Sequence, residues 1–563
     1  MNTNNQDIVN LVEILSRLGL EHAVLSPGSR NAPLIKAFNQ HPGIRCYSVV
    51  DERAAAFFAL GMAQQLQKPV AAICTSGSAL LNYGPAVVEA YHQRVPLLVI
   101  SADRPIEWIG QGDGQAIDQK HVFRNFSKGY FELKESRSHQ NSSWYNERST
   151  AEAFNLAAFE PQGPVHLNIP LSEPLYGVEA MVPQLTSLPT KGIQSELSAP
   201  AASIKELANQ VSGRQKVMLL IGQLHENEAL RSLVHSLSEL EQVVVLTETT
   251  SNLFGNGFID QIDNALATFT EEEKDAFSPD LLITMGGMVV TKRLKQFLRT
   301  GFQGLHWHID PATSHMDTYQ KLSYHVQASP LKVLEALVPL CTSAASANYR
   351  RIWLAKKQLA GERHRQYCAS IAHSDLSVFR DVLKSIPEGS QLQIGNSSPV
   401  RYVQLFENKT GVTHYCNRGV SGIDGCTGTA IGASVVNERP TVLISGEISF
   451  LYDNNSLWNK AVPANFVAIV VNNSGGNIFR IIEGPDQFSE MNEFIETTHS
   501  LSVKPLAELH GFRYLSADSE DSLQQVLQQT FDHSTKTILE VFTSSTESPA
   551  VLKKYWRFLK EGV

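Results

Sequence analysis

The sequence has only six cysteines in 563 residues, at positions 46, 74, 341, 368, 416 and 426. None form Cys-x-x-Cys, so neither a disulfide framework nor a cysteine-built zinc site is expected. No apolar run reaches the roughly 18 residues that a membrane helix needs, and no membrane insertion is expected. The opening residues, Met1-Asn2-Thr3-Asn4-Asn5-Gln6-Asp7, lack the basic segment and apolar core of a secretory leader. Positive charge is in deficit. Lys and Arg total 47 against 56 Asp and Glu, a net charge of −9 with a pI near 6.1. That balance argues against nucleic acid as a partner. There is no His-His pair, no tandem repeat and no low-complexity tract. The expectation is a reduced, soluble, cytoplasmic protein.

What is present is alternation. The length allows about three to four domains. Asp7 to Leu18 reads as an amphipathic helix. Ala23–Ser26, Val70–Thr75 and Pro96–Ser101 read as buried strands, the first running into the loop Pro27-Gly28-Ser29-Arg30. A Pro/Ser/Thr-rich stretch from Pro183 to Ala201 looks like a linker. Four further strands follow: Lys216–Gly222, Val243–Thr247, Leu281–Gly287 and Leu305–Asp310. The turn after Ile221 is Gly222-Gln223-Leu224-His225, not Gly-x-Gly-x-x-Gly, so no dinucleotide is indicated there. Ser343 to Asn348 suggests a second linker. Leu392–Gly395, Val442–Ser445, Phe466–Val471 and Ile538–Phe542 make a third set of strands. Helices alternating with strands predict an α/β chain of three doubly wound parallel-sheet domains, spanning 1–182, 200–342 and 350–563.

Two of these strand ends carry chemistry. Thr441–Ser445 closes on Gly446-Glu447, and Phe466–Val471 closes on Asn472-Asn473-Ser474-Gly475-Gly476. About one helix of sequence lies between, the length of a right-handed crossover that sets both ends side by side. Glu447, the Asn473 amide oxygen and a carbonyl near Gly475 could give a magnesium ion three of its six oxygens. A diphosphate and water would supply the rest. Taken alone, the pair reads equally well as a Gly-Glu turn and an Asn-rich turn. Gly112-Asp113-Gly114 has no apolar strand before it and no Asn-Asn after it at crossover distance, and is expected to be a loop.

An acidic residue after Gly446 followed by Asn472-Asn473 resembles the metal motif of the thiamine diphosphate enzyme superfamily. The usual form there is Gly-Asp-Gly, so Gly446-Glu447-Ile448 departs from it twice. The resemblance implies a carboxylate beside the cofactor's aminopyrimidine, and Glu52, opening the Ala-rich run to Ala63, fits. So do Thr75-Ser76-Gly77 and Gly163–Pro170, which look like parts of a pyrimidine-binding domain. The resemblance implies thiamine diphosphate with Mg²⁺ or Mn²⁺, contacts to it from Glu52, Thr75, Ser76, Gly77, Ile423, Gly446, Glu447, Asn473, Gly475 and Ile478, and no flavin in the middle domain.

Three longer runs narrow it. Leu25–Leu34, Ser101-Ala102-Asp103-Arg104-Pro105 and Asn417–Gly425 resemble the 2-succinyl-5-enolpyruvyl-6-hydroxy-3-cyclohexene-1-carboxylate synthase family of menaquinone biosynthesis. That family decarboxylates 2-oxoglutarate and adds the succinyl carbanion to isochorismate. The resemblance implies substrate contacts from Ser29, Arg30, Arg104, Gln115, Lys292, Ser397, Arg401, Arg418, Ile478 and Phe479. Arginine suits such dicarboxylates because its planar fork pairs bidentately with a carboxylate. Gly114 stands where some members carry Asn. Any one of these arginines has a plain reading as a surface ion pair, and Ile423, Ile478 and Phe479 as core packing. The lack of His-His suits an enzyme that keeps its carbanion from protons. Alternatives are another thiamine diphosphate carboligase or decarboxylase, or a non-catalytic paralogue that only binds ligand. The implied assembly is a homodimer or homotetramer with active sites between subunits.

Overall fold

The protein is described by a computed structural model covering residues 3–135, 141–176, 182–481 and 490–562. Met1 and Asn2 of the opening run lie outside these residues. Three sheets, each of six parallel strands, succeed one another along the chain. The first holds His22–Leu25 (β1), Arg45–Ser48 (β2), Val70–Cys74 (β3), Leu97–Asp103 (β4), Gly129–Glu132 (β5) and Val165–Pro170 (β6). The second holds Val217–Ile221 (β7), Val243–Thr247 (β8), Phe258–Ile259 (β9), Leu281–Met285 (β10), Leu305–Asp310 (β11) and Leu322–Gln327 (β12). The third holds Gln391–Ile394 (β13), Thr413–Cys416 (β14), Thr441–Gly446 (β15), Phe466–Asn472 (β16), Arg513–Ala517 (β17) and Thr537–Phe542 (β18).

The spatial orders are β2-β1-β3-β4-β6-β5, β12-β11-β10-β7-β8-β9 and β14-β13-β15-β16-β18-β17. Counted from its own first strand, the third sheet repeats the first. In both, the chain reverses direction across the sheet between its first and third strands. Ligands of open α/β sheets bind in the crevice at the carboxyl ends of strands near such a reversal. The second sheet is wound differently.

Every strand expected from an apolar run is present. The strands that the runs did not signal are the six sheet edges, β2, β5, β9, β12, β14 and β17, together with β6. An edge covered only in part needs no unbroken apolar run, whereas β9, buried throughout, is only two residues long, too short to register as a run. All four residues of β5 are half-buried, and β12 has no fully buried residue. The Gly112–Gly114 segment is a turn, as expected.

The first and third domains share one core. Helix Glu52–Leu66 is buried along Ala54–Gln64, and helix Cys426–Val435 along Cys426–Ser434. The two helices pack backbone to backbone. A Cβ on Gly61 would fall 2.0 Å from the Thr429 carbonyl oxygen, and one on Gly432 would fall 1.9 Å from that of Phe58. Overpacking of this sort costs about 1–3 kcal/mol or more. Gly432→Ala is expected to lose at least about 2 kcal/mol in chemical denaturation. Gly213→Ala, where nothing lies within 4 Å of the added carbon, should leave the midpoint unchanged.

Candidate active site

β15 and β16 are parallel neighbours, with Gly446 in register with Val471. Their carboxyl ends therefore lie together, as the crossover length predicted. Glu447 is the first residue of helix Glu447–Tyr452 and is buried. Its Oε1 accepts the Gly475 N–H at 2.7 Å. His499 Nε2 lies 3.3 Å from the same oxygen. Burial pushes the Glu447 carboxyl up to about 8, against the pull of these backbone donors.

Asn473 completes the arrangement. Its amide nitrogen donates to Asp375 Oδ2 at 3.1 Å, and its amide oxygen is buried without a partner. Asp375 is itself fixed, its other oxygen accepting from Thr543 at 2.6 Å and Ser548 at 3.0 Å. The amide is thus held with nitrogen satisfied and oxygen bare. A buried carboxylate and a bare amide oxygen at adjacent strand ends are the hard oxygen donors that Mg²⁺ takes. These residues fit a divalent cation, and a diphosphate held through it. Asn477, after Gly475-Gly476, is also buried with both ends of its amide unpartnered.

In the first domain, Asp51 caps helix Glu52–Leu66 by accepting the Ala54 N–H at 2.9 Å. That cap places Glu52 in the first turn, half-buried, where burial raises its pKa. The Asp51 and Arg53 side chains reach Asn455 (2.7 Å) and the Tyr452 carbonyl (2.8 Å), beyond the far end of the helix that Glu447 opens. Among the described residues no hydrogen bond or ion pair joins Glu52 to the Glu447 loop of the same chain.

The hydroxyls of Thr75 and Ser76 are buried and unpartnered. Gly77 follows at φ +85°, where a side chain would be strained. Its N–H donates to Gln119 Oε1 at 2.9 Å, and a Cβ there would fall 3.1 Å from the Gln115 carbonyl oxygen. Gln119 in turn donates to Asn168 at 2.8 Å, and Asn168 to Asp103 at 2.8 Å. Burial pushes Asp103 up to about 6. Arg104 donates to the Gly114 carbonyl at 2.7 Å and lies 3.2 Å from Asp113. The Gly112–Gly114 turn holds Arg104 and leads directly into Gln115. Arg30, beside Ser29, is buried and donates to the Leu171 carbonyl at 2.7 Å, with exposed Glu173 at 3.2 Å.

In the third domain, Ser397 stands at φ +72° and ψ −122°, a backbone region that costs a non-glycine residue about 1–3 kcal/mol. Arg401 donates to its carbonyl. Arg418 donates to Asn396 Oδ1 at 2.9 Å, and its Nε is buried without a partner. Burial, then the neighbouring Arg418, lowers the pKa of Arg401. Among the described residues neither arginine makes an ion pair. Asp263 acts on Arg401 only at longer range, and two half- to fully buried guanidinium groups with no carboxylate in ion-pair contact among the described residues could receive an anion.

The middle domain faces this pair through helix Lys292–Gly301. Lys292 is exposed, whereas Lys295, one turn later, is half-buried and feels both arginines. Behind them, buried Glu248 accepts from Thr291 at 3.1 Å and from Gln404. Burial, with Glu248 nearby, pushes Asp263 up to about 7. Ile423 is partly exposed, and Ile478 and Phe479 are half-buried in the short helix Ile478–Ile481. A cavity of about 580 Å³ opens where the three domains meet, lined among others by Gln93, Arg94, Gln223, His225 and Arg418.

The sequence reading missed Asp375, Gln119, Lys295 and Asn477. Asn477 had a usable signal, since it directly follows the glycine pair. Lys295 shares a helix with Lys292 and is separated from it only by which side faces inward. Asp375 and Gln119 act through long-range contacts that no local pattern announces.

Residues 9–122 match the family described as "Thiamine pyrophosphate enzyme, N-terminal TPP binding domain", 193–394 the "Middle domain of thiamine pyrophosphate", and 394–541 the "Thiamine pyrophosphate enzyme, C-terminal TPP binding domain". The 2-succinyl-5-enolpyruvyl-6-hydroxy-3-cyclohexene-1-carboxylate synthase of Flavobacterium psychrophilum is 43% identical over 551 residues, with 98% of each chain covered. That of Flavobacterium johnsoniae is 42% identical over 559 residues, again with 98% covered on both sides. The chain belongs to this synthase family. As a member it is a thiamine diphosphate-dependent transferase. Benzoylformate decarboxylase from Polynucleobacter necessarius shares the fold, with a TM-score of 0.72 at 16% identity over 97% of this chain and 99% of its own.

Asp375→Ala would strand the Asn473 amide nitrogen and two hydroxyls. It is expected to lose about 1–3 kcal/mol in denaturant titration. It should also shrink the rise in Tm that thiamine diphosphate produces in the parent protein.

Proposed function

We propose that the protein decarboxylates 2-oxoglutarate and joins the remaining succinyl fragment to isochorismate by 1,4-addition. The products would be 2-succinyl-5-enolpyruvyl-6-hydroxy-3-cyclohexene-1-carboxylate and CO₂, in menaquinone biosynthesis. The observation that carries this reading is the couple Arg401 and Arg418, without an ion pair among the described residues and following β13 and β14, the strands next to β15 and β16 that lead to Glu447 and Asn473. Both substrates are dicarboxylates and need such cations.

Thiamine diphosphate would supply the electron sink for decarboxylation. Glu447, Asn473 and Gly475 would hold Mg²⁺ or Mn²⁺ and through it the diphosphate. Thr75, Ser76, Gly77, Gly446, Ile423 and Ile478 would line the remainder of the cofactor. Glu52 would hold and release a proton at its carboxyl beside the aminopyrimidine, a task that its burial-raised pKa suits. Arg30, Arg104, Arg401, Arg418 and Lys292, with Ser29, Gln115 and Ser397, would bind and orient the substrates. Ile478 and Phe479 would wall the acceptor and keep water out.

The assembly is read as a homodimer or homotetramer, and the location as cytoplasmic. Among the described residues Glu52 has no hydrogen bond or ion pair to the Glu447 loop of its own chain, and Tyr452 and Trp458 near its helix are exposed. A second copy covering that face would bring its metal loop to Glu52. The domain division 1–182, 200–342 and 350–563 belongs to the same reading. Among the described residues no helix is long and apolar enough to cross a membrane.

Mass spectrometry of the product from 2-oxoglutarate plus isochorismate, with thiamine diphosphate and Mg²⁺, tests the whole reading. The adduct and CO₂ are expected, and CO₂ from pyruvate instead would overturn it. Glu52→Gln should abolish turnover and leave cofactor binding, read by calorimetry, largely intact. Full activity would sink its role as proton carrier. The Glu447 carboxyl, near 8 without a cation, must shed its proton to bind one. Below pH 8, Mg²⁺ affinity should therefore tighten with rising pH, by up to about tenfold per unit. A flat profile from pH 6 to 8 would remove Glu447 from the metal.

A further inference from the structure

The loop that carries Arg418 is held from another domain. Glu89 lies on helix Gly84–Gln93 of the first domain and is buried. Its Oε1 accepts the Gly419 N–H at 2.6 Å, and its Oε2 the Val420 N–H at 2.8 Å. Two successive backbone donors thus converge on one carboxylate, one on each oxygen. Gln93, four residues along the same helix face, donates to Glu89 Oε1 as well. No cationic side chain pairs with Glu89 among the described residues, so the backbone donors take its charge. The fit is close: a Cβ on Gly419 would fall 2.7 Å from the Glu89 carbonyl oxygen and 3.0 Å from its Oε1.

The residues before Arg418 are gripped from the same direction. Gln93 Nε2 reaches the Cys416 carbonyl at 3.3 Å and Asn417 Oδ1 at 3.4 Å. Gln223 of the middle domain donates to the Cys416 carbonyl at 3.0 Å and to Gln93 Oε1 at 3.3 Å. All three domains therefore meet at the end of β14, and Arg418 stands between its two anchored flanks. Among the described residues its guanidinium hydrogen-bonds Asn396 alone, so the place of its backbone is set by these contacts.

We infer that Glu89 is a positioning residue for substrate binding, fixing Arg418 by holding the Gly419 and Val420 N–H groups across the domain boundary. This rests on the reading of Arg418 as a substrate anchor. Glu89 itself touches neither substrate nor cofactor. A loop held this way keeps the guanidinium in place before the carboxylate arrives, so less freedom is lost on binding. Removing the hold should weaken substrate binding more than it slows the bound complex.

The test uses the full-length holoprotein with thiamine diphosphate and Mg²⁺. Glu89→Gln keeps the size but replaces one accepting oxygen with a donor facing an N–H. Hydrogen exchange at Gly419 and Val420 should speed up by about tenfold or more, with distant peptides unchanged. The KM for 2-oxoglutarate should rise about tenfold while kcat falls less than about threefold. In an Arg418→Ala background the same change should add nothing further to KM, because the two residues act as one. Glu89→Asp, which keeps the charge but withdraws the carboxylate, serves if the amide variant does not fold, and should shift exchange and KM the same way. Unchanged exchange at the two amides overturns the inference. So does a KM effect that persists in full without Arg418, since that marks a general structural role. Were the parent protein inactive on 2-oxoglutarate, the functional reading would fall, while the exchange measurement would still decide whether Glu89 holds the loop.

Discussion

The arrangement of the site depends on two helices meeting at backbone distance. Glu52–Leu66 and Cys426–Val435 can approach this closely only because Gly61 and Gly432 present no side chain at the crossing. Each helix has a functional segment just ahead of it. Glu52 opens the first, and the Asn417–Gly425 loop with Arg418 and Ile423 leads into the second. Sliding either helix by one residue would move both. The shared core behind them, from Ala54–Ala63 through Ala430, Leu443 and Phe466, has continuous apolar packing and no room for such a slide. The domains therefore do not merely touch. They are fixed relative to one another by the same contact that sets the starts of both helices, where the candidate site residues lie.

Charge inside this frame is arranged by sign. The β15–β16 end collects oxygen: Glu447, the Asn473 amide and the loop around Gly475. The β13–β14 end collects nitrogen: Arg401 and Arg418, with Lys295 from the middle domain. Each set is under-satisfied by its own chain. The Glu447 carboxyl is driven up to about 8 by burial, and the Arg401 guanidinium is driven down by burial and by Arg418. A buried group displaced in this direction gains most from an opposite charge supplied by a ligand. A divalent cation would answer the first set and a carboxylate the second. The two demands sit at neighbouring strand ends of one sheet, as the proposed meeting of a carboxylate substrate with a diphosphate cofactor requires.

The sequence made the interior legible and left the periphery obscure. Central strands such as β8 and β10 are buried on both faces, so their apolar runs appear directly in the residues. Edge strands such as β5 and β12 are covered on part of one face, and their composition resembles that of loops. The site divides the same way. Glu447, Asn473 and Gly475 sit in one loop or at one strand end and could be read as a local pattern. Asp375, which turns the Asn473 amide, lies 98 residues away and has no local mark. Lys295 illustrates a third limit. Residue type and helix were both visible, but the side of the helix that faces Arg418 is decided by how two domains dock, and no single segment encodes that.

The Glu in place of the superfamily's usual Asp can be understood from the same geometry. A longer side chain at a strand end must either push the cation outward or find support farther along. Here the carboxylate reaches across to the neighbouring strand's loop and accepts the Gly475 N–H. That loop turns sharply through Ser474 at φ +64°, and the turn presents its N–H groups to Glu447. Asp375, meanwhile, holds Asn473 by its nitrogen from the opposite side. The reach between two strands gives the extra methylene a place, while Asp375 fixes the Asn473 amide independently of it. Ile448, where the usual motif has a second glycine, sits within helix Glu447–Tyr452, so the chain there continues as helix and needs no glycine turn. Both departures from the motif belong to one local solution, a carboxylate carried at a helix start and reaching to the next strand's loop.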